Sequence, residues 1–447
     1  MHNAFINVVT VVLVLGFMIL IHEYGHYIAA RLMGVRVDVF SIGFGPRIWG
    51  FRRGDTDYRL SILPLGGYVK MAGDNPIEER AGSDDEFLSK PRWQRVVIAV
   101  AGPAMNILFA LVVTLALFMI GAPEAAYMSK TAQVAGVLPG SPAAQAGIQP
   151  GDTIVKIDAR KTPTWEDAIF ETGVAPTGAR ILLSVERNGI QEFLQLPPAP
   201  PQETRDEYQL LGYPRSPVIV GTVIGGKPAS KAGLKTDDRI LSADGQPMLS
   251  PVQFATLVRN SDGKPVAVTV QRAGAPAGAP EELTLVPRFD DPGDGQKRWQ
   301  IGISFGADNV YASHSFFDAA DRSVRFNYRM TRQILHVLAG LFQGKVSLKQ
   351  LGGPVGIAPQ LGEAVRHSFL DLISLTAVIS LNLGILNLLP IPILDGGHVL
   401  LLAVEGLLRR DLSVAVKERF VQVGMVFLLG VIVLTTYYDI LKLLPGR

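Results

Sequence analysis

The sequence predicts a polytopic α-helical membrane protein: four transmembrane helices, a membrane-associated β-hairpin after the first, and two small α+β domains inserted between the second and third. Three observations predict it. Four apolar segments, about 4–30, 96–120, 369–391 and 420–441, are each near the length that crosses ~30 Å of hydrocarbon. A hydrophobic content of 48% and a mean hydropathy of +0.26 are high for a wholly soluble chain. The stretch between the second and third segments repeats itself at a fixed offset. The net charge of +2 gives no general reason to expect nucleic acid, and the absence of cysteine excludes disulfides and thiolate metal sites. His, Asp and Glu are the metal ligands left to this chain.

The first segment (1–34) carries His22-Glu23-Tyr24-Gly25-His26 inside an apolar run from Ala4 to Ala30. On a helix, histidines four apart project from one face, so both imidazoles can hold one Zn²⁺ while the glutamate between them reaches water activated there. Ionisable groups inside a span are costly and mark a functional interior. A secretory leader would have a shorter apolar region without internal His or Glu, and would end at a small-residue cleavage site; nothing of that kind precedes the motif, so the segment reads as a retained helix.

Residues 35–95 form the first loop. From Val35 to Met71 apolar and polar residues alternate on either side of Arg53-Gly54-Asp55, with Gly43-Phe44-Gly45 in the first limb and Pro64-Leu65-Gly66-Gly67 closing the second, the pattern of a β-hairpin. The second span follows at 96–120. Beyond it, Val134–Asp158 aligns with Val220–Asp244 at an offset of 86, pairing Pro142 with Pro228, Gly147 with Gly233 and Asp152 with Asp238. Each copy continues through a polar helical stretch to an alternating strand, Arg180–Val185 and Val266–Val270, giving domains at 127–205 and 216–290. Two Pro- and Gly-rich stretches, Pro197–Arg205 and Ala273–Pro280, fit linkers or loop tips. Residues 291–368 read as a connector with amphipathic helices. Gly352-Gly353-Pro354-Val355-Gly356 reads as a loop before a helix.

The third segment (369–410) holds the second chemical motif, Asn387-Leu-Leu-Pro390-Ile-Pro392-Ile-Leu-Asp395-Gly396-Gly397-His398. Two prolines remove backbone donors, and the glycine pair permits tight turning, so the helix should break here. Irregular backbone at membrane depth is tolerated only against protein or a water-filled cavity. A catalytic zinc needs three protein ligands, and the first span supplies two. The longer metzincin pattern is excluded, because Ala29 and Leu32 occupy its Gly and His positions. Asp395 is the preferred third ligand, with His398 as its competitor. The fourth span is 420–441. Basic residues Arg31, Arg36, Lys90, Arg92 and Arg95 in the first loop, and Arg409, Arg410, Lys417 and Arg419 in the third, place those loops on the cytoplasmic side. The termini and the 121–368 segment then lie outside.

The S/K-P-A-x-x-A-G-[IL]-x-x-x-D pattern of the two copies resembles the PDZ domains of bacterial proteases, which implies recognition of peptide or protein tails by strand addition. A steric plug is the plainer alternative. HEYGH in the first span, N-x-x-P-x-P-x-x-LDG in the third and the duplicated domains between them together resemble the site-2 protease family of intramembrane zinc metalloproteases. The resemblance covers nearly the whole chain. It implies one Zn²⁺ per chain held by His22, His26 and Asp395, with Glu23 as the catalytic acid/base. It implies a re-entrant β-loop at Gly43, Phe44 and Gly45 that holds extended substrate, and substrate contacts at Asn387, Pro390 and Pro392. The implied substrates are single-pass membrane proteins in the bilayer of the bacterial inner membrane, of the anti-sigma-factor type already trimmed outside, and remnant signal peptides, with the PDZ pair filtering against bulky exterior domains.

Two other function classes use the same residues. A membrane-bound scaffold or chaperone would bind peptides and use zinc structurally, but closed structural sites normally take four protein ligands and have no need of Glu23. A zinc transporter would line its path with His and Asp, yet it gives no reason for the duplicated domains.

Overall fold

Long, mostly apolar runs become helices, and four of them are long and apolar enough to cross a membrane: Val9–Leu32, Arg92–Ile120, Phe369–Asn387 and Val414–Ile440. The structure, a computed structural model, describes residues 2–74, 82–121, 123–200, 206–274, 280–291, 297–306, 308–344 and 353–443. The chain is a polytopic membrane protein that divides into two compact units: the spans with the long hairpin, and a unit built mainly from Pro123–Ala312.

In the first unit the second span packs against both the first and the third. Close approach is bought with small residues: a Cβ on Gly25 would lie 2.3 Å from the Ala101 carbonyl oxygen of the second span, and one on Gly384 of the third would lie 2.9 Å from the Pro103 carbonyl oxygen. After the first span, strands Val37–Arg53 and Thr56–Met71 pair antiparallel around a turn at Gly54, whose φ of +59° suits glycine. Helix Phe316–Phe342 joins the second span through a buried polar cluster in which Asn327 donates to Thr114 Oγ1 at 2.8 Å. Helix Pro354–His367 packs on the first, third and fourth spans. Gly352 of the Gly-Gly-Pro-Val-Gly motif lies outside the described residues; the rest opens this helix.

The third span ends at Asn387, short of the 391 its apolar run suggests, because Pro390 and Pro392 cannot donate to a continuing helix. The chain runs through 388–394 without regular structure, with Ile393 at φ +79°, and restarts as helix Asp395–Leu408. The glycine pair is needed here for close approach, whereas the sequence reading assigned it to tight turning. A Cβ on Gly396 would lie 2.2 Å from the Leu389 carbonyl oxygen, and one on Gly397 2.3 Å from that of Ile391.

In the second unit the two copies fold alike. Helices Pro142–Gln145 and Pro228–Lys231 precede strands Thr153–Ile157 and Arg239–Ala243; helices Trp165–Gly173 and Pro251–Arg259 follow, with side-chain caps from Thr164 and Ser250. Trp165 and Phe254 fill the two separate cores. The aligned aspartates are buried, Asp152 and Asp238 each being 1% exposed, and each is held by an arginine, Arg187 at the end of strand Leu182–Arg187 and Arg272 just past strand Val266–Gln271. Arg187 grips Asp152 with two bonds of 2.7 Å and donates to the Gly147 carbonyl; Arg272 reaches Asp238 at 2.6 Å and donates to the Gly233 carbonyl. The second sheet extends past residue 290: strand Ile303–Gly306, which the sequence reading places in the connector, pairs with Val218–Val223. The sequence pattern misses it because the strand is short and Ile303 is its one partly buried apolar residue packed against the core. The stretches Pro197–Arg205 and Ala273–Pro280 fall partly outside the described residues, at 201–205 and 275–279.

Candidate active site

One helical turn separates His22 from His26 in the first span, so both imidazoles leave the same face. Both are buried, at 7% and 9% exposure, and their Nε2 atoms lie 3.1 Å apart. Asp395, the first residue of the helix that restarts after the proline break, meets them from the other side: its Oδ2 is 3.0 Å from His22 Nε2 and its Oδ1 is 3.5 Å from His26 Nε2. Among the described residues this is the group whose ligand atoms could hold a metal ion, all within 4.8 Å of one another.

The donor set fits zinc. A tetrahedral ion with ligands at ~2.0–2.1 Å separates them by about 3.3–3.4 Å, close to the spacings found. The tautomer of His26 also fits, because its Nδ1–H can only donate to the Ile98 carbonyl, at 2.8 Å, which leaves Nε2 with a lone pair toward Asp395.

These three residues line a cavity of about 840 Å³ together with Glu23, Asn387 and His398. The hairpin forms part of its wall through Tyr68 and Val69; a Cβ on Gly67 would lie 2.7 Å from the Ser41 carbonyl oxygen, so glycine lets the two strands close on each other beside Glu23. Arg95, Glu405 and Lys417 lie farther along the cavity, where the Lys417 ammonium pairs with the buried Glu405 carboxylate at 2.7 Å.

Other sequence candidates stand outside the lining. Gly43, Phe44 and Gly45 lie in the first hairpin strand; Gly43 and Gly45 both take φ +89°, and Phe44 stacks on the cavity-lining Tyr68 with ring centroids 6.1 Å apart. Pro390 is exposed, and Pro392 packs against Gly424 of the fourth span. Sequence reasoning missed Ile98, Gly102 and Asn106. Gly102 leaves the room that the His26 ring fills, since a Cβ there would lie 2.3 Å from Nε2, and the Asn106 amide lies 3.3 Å from His22 Nδ1. A polar residue one turn after a glycine in an apolar span was the available signal.

The chain has relatives over nearly its whole length. The model of peptidase family M50 matches residues 10–431. The regulator of sigma-E protease RseP of Escherichia coli (strain K12) is 33% identical over 97% of this chain and 98% of its own length. A putative zinc metalloprotease of Vibrio cholerae serotype O1 is 31% identical over 98% of this chain and 99% of its own, and a regulator of sigma E protease of Haemophilus influenzae is 29% identical over 97% and 98%.

Proposed function

The chain belongs to peptidase family M50, the site-2 proteases, as a zinc metalloprotease of that type, and from this premise we propose that it hydrolyses peptide bonds in or near the transmembrane segment of single-pass membrane proteins. The observation that carries the proposal is the joining of His22, His26 and Asp395 in one cavity with Glu23, in a cluster built from a membrane span and a broken helix. His22, His26 and Asp395 would hold one zinc ion, which when bound would supply a Lewis acid for the scissile carbonyl and an activated water at neutral pH. The Glu23 carboxylate accepts a proton from the attacking water and delivers it to the departing amine nitrogen.

A peptide bond inside an intact helix is hydrogen-bonded and shielded, so the substrate must unwind. Each backbone group freed in hydrocarbon costs several kcal/mol unless it is paired. Asn387, at the cavity, offers its amide to the freed backbone, and the membrane-associated hairpin with Gly43, Phe44 and Gly45 offers a strand edge. Pro390 and Pro392 keep the 388–394 segment non-helical beside the site.

The substrates we infer are anti-sigma factors trimmed first on the exterior face, in an envelope stress response, and also remnant signal peptides; the relatives named as regulators of sigma-E protease support the first class. We infer that the protein lies in the bacterial inner membrane with the basic short loops cytoplasmic and the two repeated domains exterior, a reading supported by the basic residues of those loops. These domains, at 127–205 and 216–290 with strand Ile303–Gly306 added, are read as PDZ-like. A cavity of about 230 Å³ between helix Pro251–Arg259 and strand Ile303–Gly306 supports recognition of a peptide tail.

Reconstitution of the purified protein with a single-pass substrate tests the reading. Glu23→Gln is expected to retain bound zinc and lose cleavage by ~10²–10⁴-fold, the usual contribution of a general base. Undiminished cleavage by this variant would sink the assignment.

A further inference from the structure

We propose that Asn106 is a positioning residue for the metal centre: its side-chain carbonyl accepts a hydrogen bond from His22 Nδ1–H and holds that imidazole in the tautomer whose Nε2 lone pair faces Asp395 and His26. The inference rests on the reading of His22 as a zinc ligand.

The two residues meet because the first and second spans lie in a fixed antiparallel register. Gly25 closes on Ala101, and Gly102 closes on the His26 ring. One turn beyond Gly102, Asn106 therefore falls opposite His22, one turn before His26. Asn106 is fully buried, at 0% exposure, and its amide lies 3.3 Å from His22 Nδ1. The third span fixes it from behind: Ser380 Oγ donates to the Asn106 backbone carbonyl at 2.9 Å, and a Cβ on Gly384 would lie 3.4 Å from Asn106 Cβ.

The two ends of a side-chain amide have the same shape, and only their partners decide which way it points. With the NH₂ turned toward His22, Nδ1 must accept, so Nε2 carries the ring proton. That proton would occupy the side facing His26 Nε2 and Asp395, where a ligand needs a lone pair. The same orientation leaves Asn106 Oδ1 buried without a hydrogen-bond partner among the described residues, a costly deficit for a polar atom. Half a turn of the amide removes the tautomer conflict and gives Oδ1 a donor, with the NH₂ taking the place Oδ1 leaves. Oδ1 then accepts from Nδ1–H, and His22 matches His26, whose Nδ1–H already donates to the Ile98 carbonyl. Such outer partners typically hold a metal-ligating histidine in orientation, and losing one weakens metal binding ~10–100-fold.

¹⁵N NMR of the zinc-loaded, histidine-labelled protein reads the tautomer directly. A protonated Nδ1 on His22 is expected, and an unprotonated Nδ1 with zinc bound would overturn the proposal. Chelator competition gives the second arm: Asn106→Leu should bind zinc ~10–100-fold more weakly, whereas Asn106→Asp, which keeps an acceptor and has no N–H to offer, should return affinity to near the unmodified value. Equal weakening in both variants, or none in Asn106→Leu, would overturn it. His22→Ala separates the two layers. Unchanged zinc binding in that variant would remove the ligand reading itself, while loss there beside an unaffected Asn106→Leu would remove only the role of Asn106.

Discussion

At Asp395 a carboxylate whose two oxygens face two imidazoles lies at the start of a helix, with its neighbour Gly396 pressed onto the Leu389 carbonyl. That packing, more than any property of the aspartate alone, sets its position. His398 lines the same cavity three residues on, so the two candidates for the third zinc ligand can be separated by deletion. Asp395→Ala is expected to lower zinc affinity by at least ~10-fold, because it removes a ligand where even an outer partner matters by that much; His398→Ala should stay close to the unmodified protein. Metal analysis after dialysis against a graded chelator checks this, and a larger loss from His398→Ala would reassign the ligand. The His22–Glu23–His26 half of the site was legible because a single helix fixes its spacing. The Ile98 carbonyl, Gly102 and Asn106 were not, because their roles arise from the register between two spans, and a sequence carries that register only as scattered small and polar residues.

Among the elements, the repeated copies show both how far a pattern reaches and where it stops. The 86-residue offset identifies the matching helices and strands and the aspartates at the end of each motif. It does not identify what neutralises them. Arg187 lies 35 residues beyond Asp152, and Arg272 lies 34 beyond Asp238, at the ends of strands that reach them only in the folded sheet. Removing the arginine would leave a buried carboxylate uncompensated. Arg187→Ala is expected to destabilise the first copy by about 3 kcal/mol, the lower end for breaking a buried pair, since the arginine itself is one-fifth exposed. Urea-dependent proteolysis of the unit that holds the two copies would read this as a lower midpoint, and an unshifted midpoint would show that the pair contributes little. The proline break behaves in a related way. Its existence was legible from Pro390 and Pro392, but the carbonyls that require glycine at 396 and 397 come from the chain's own return path.

For the whole molecule, the candidate site is assembled from the first span and from a helix that begins some 370 residues later, so it forms only when the spans pack. The hydropathy of four segments made that architecture readable, while the close pairing of the hairpin strands beside Glu23 was not, because it depends on the absence of a side chain at Gly67 against the Ser41 carbonyl. Under the proposed function, substrate reaches this candidate metal cluster from within the bilayer. The most direct measurement is to incubate the reconstituted protein with a single-pass substrate and map the cut by mass spectrometry, beside the Glu23→Gln variant. A bond broken within or at the edge of the substrate's transmembrane segment, and left intact by the variant, is the predicted result. A cut well outside that segment, in the substrate's exterior or cytoplasmic domain, would contradict the account.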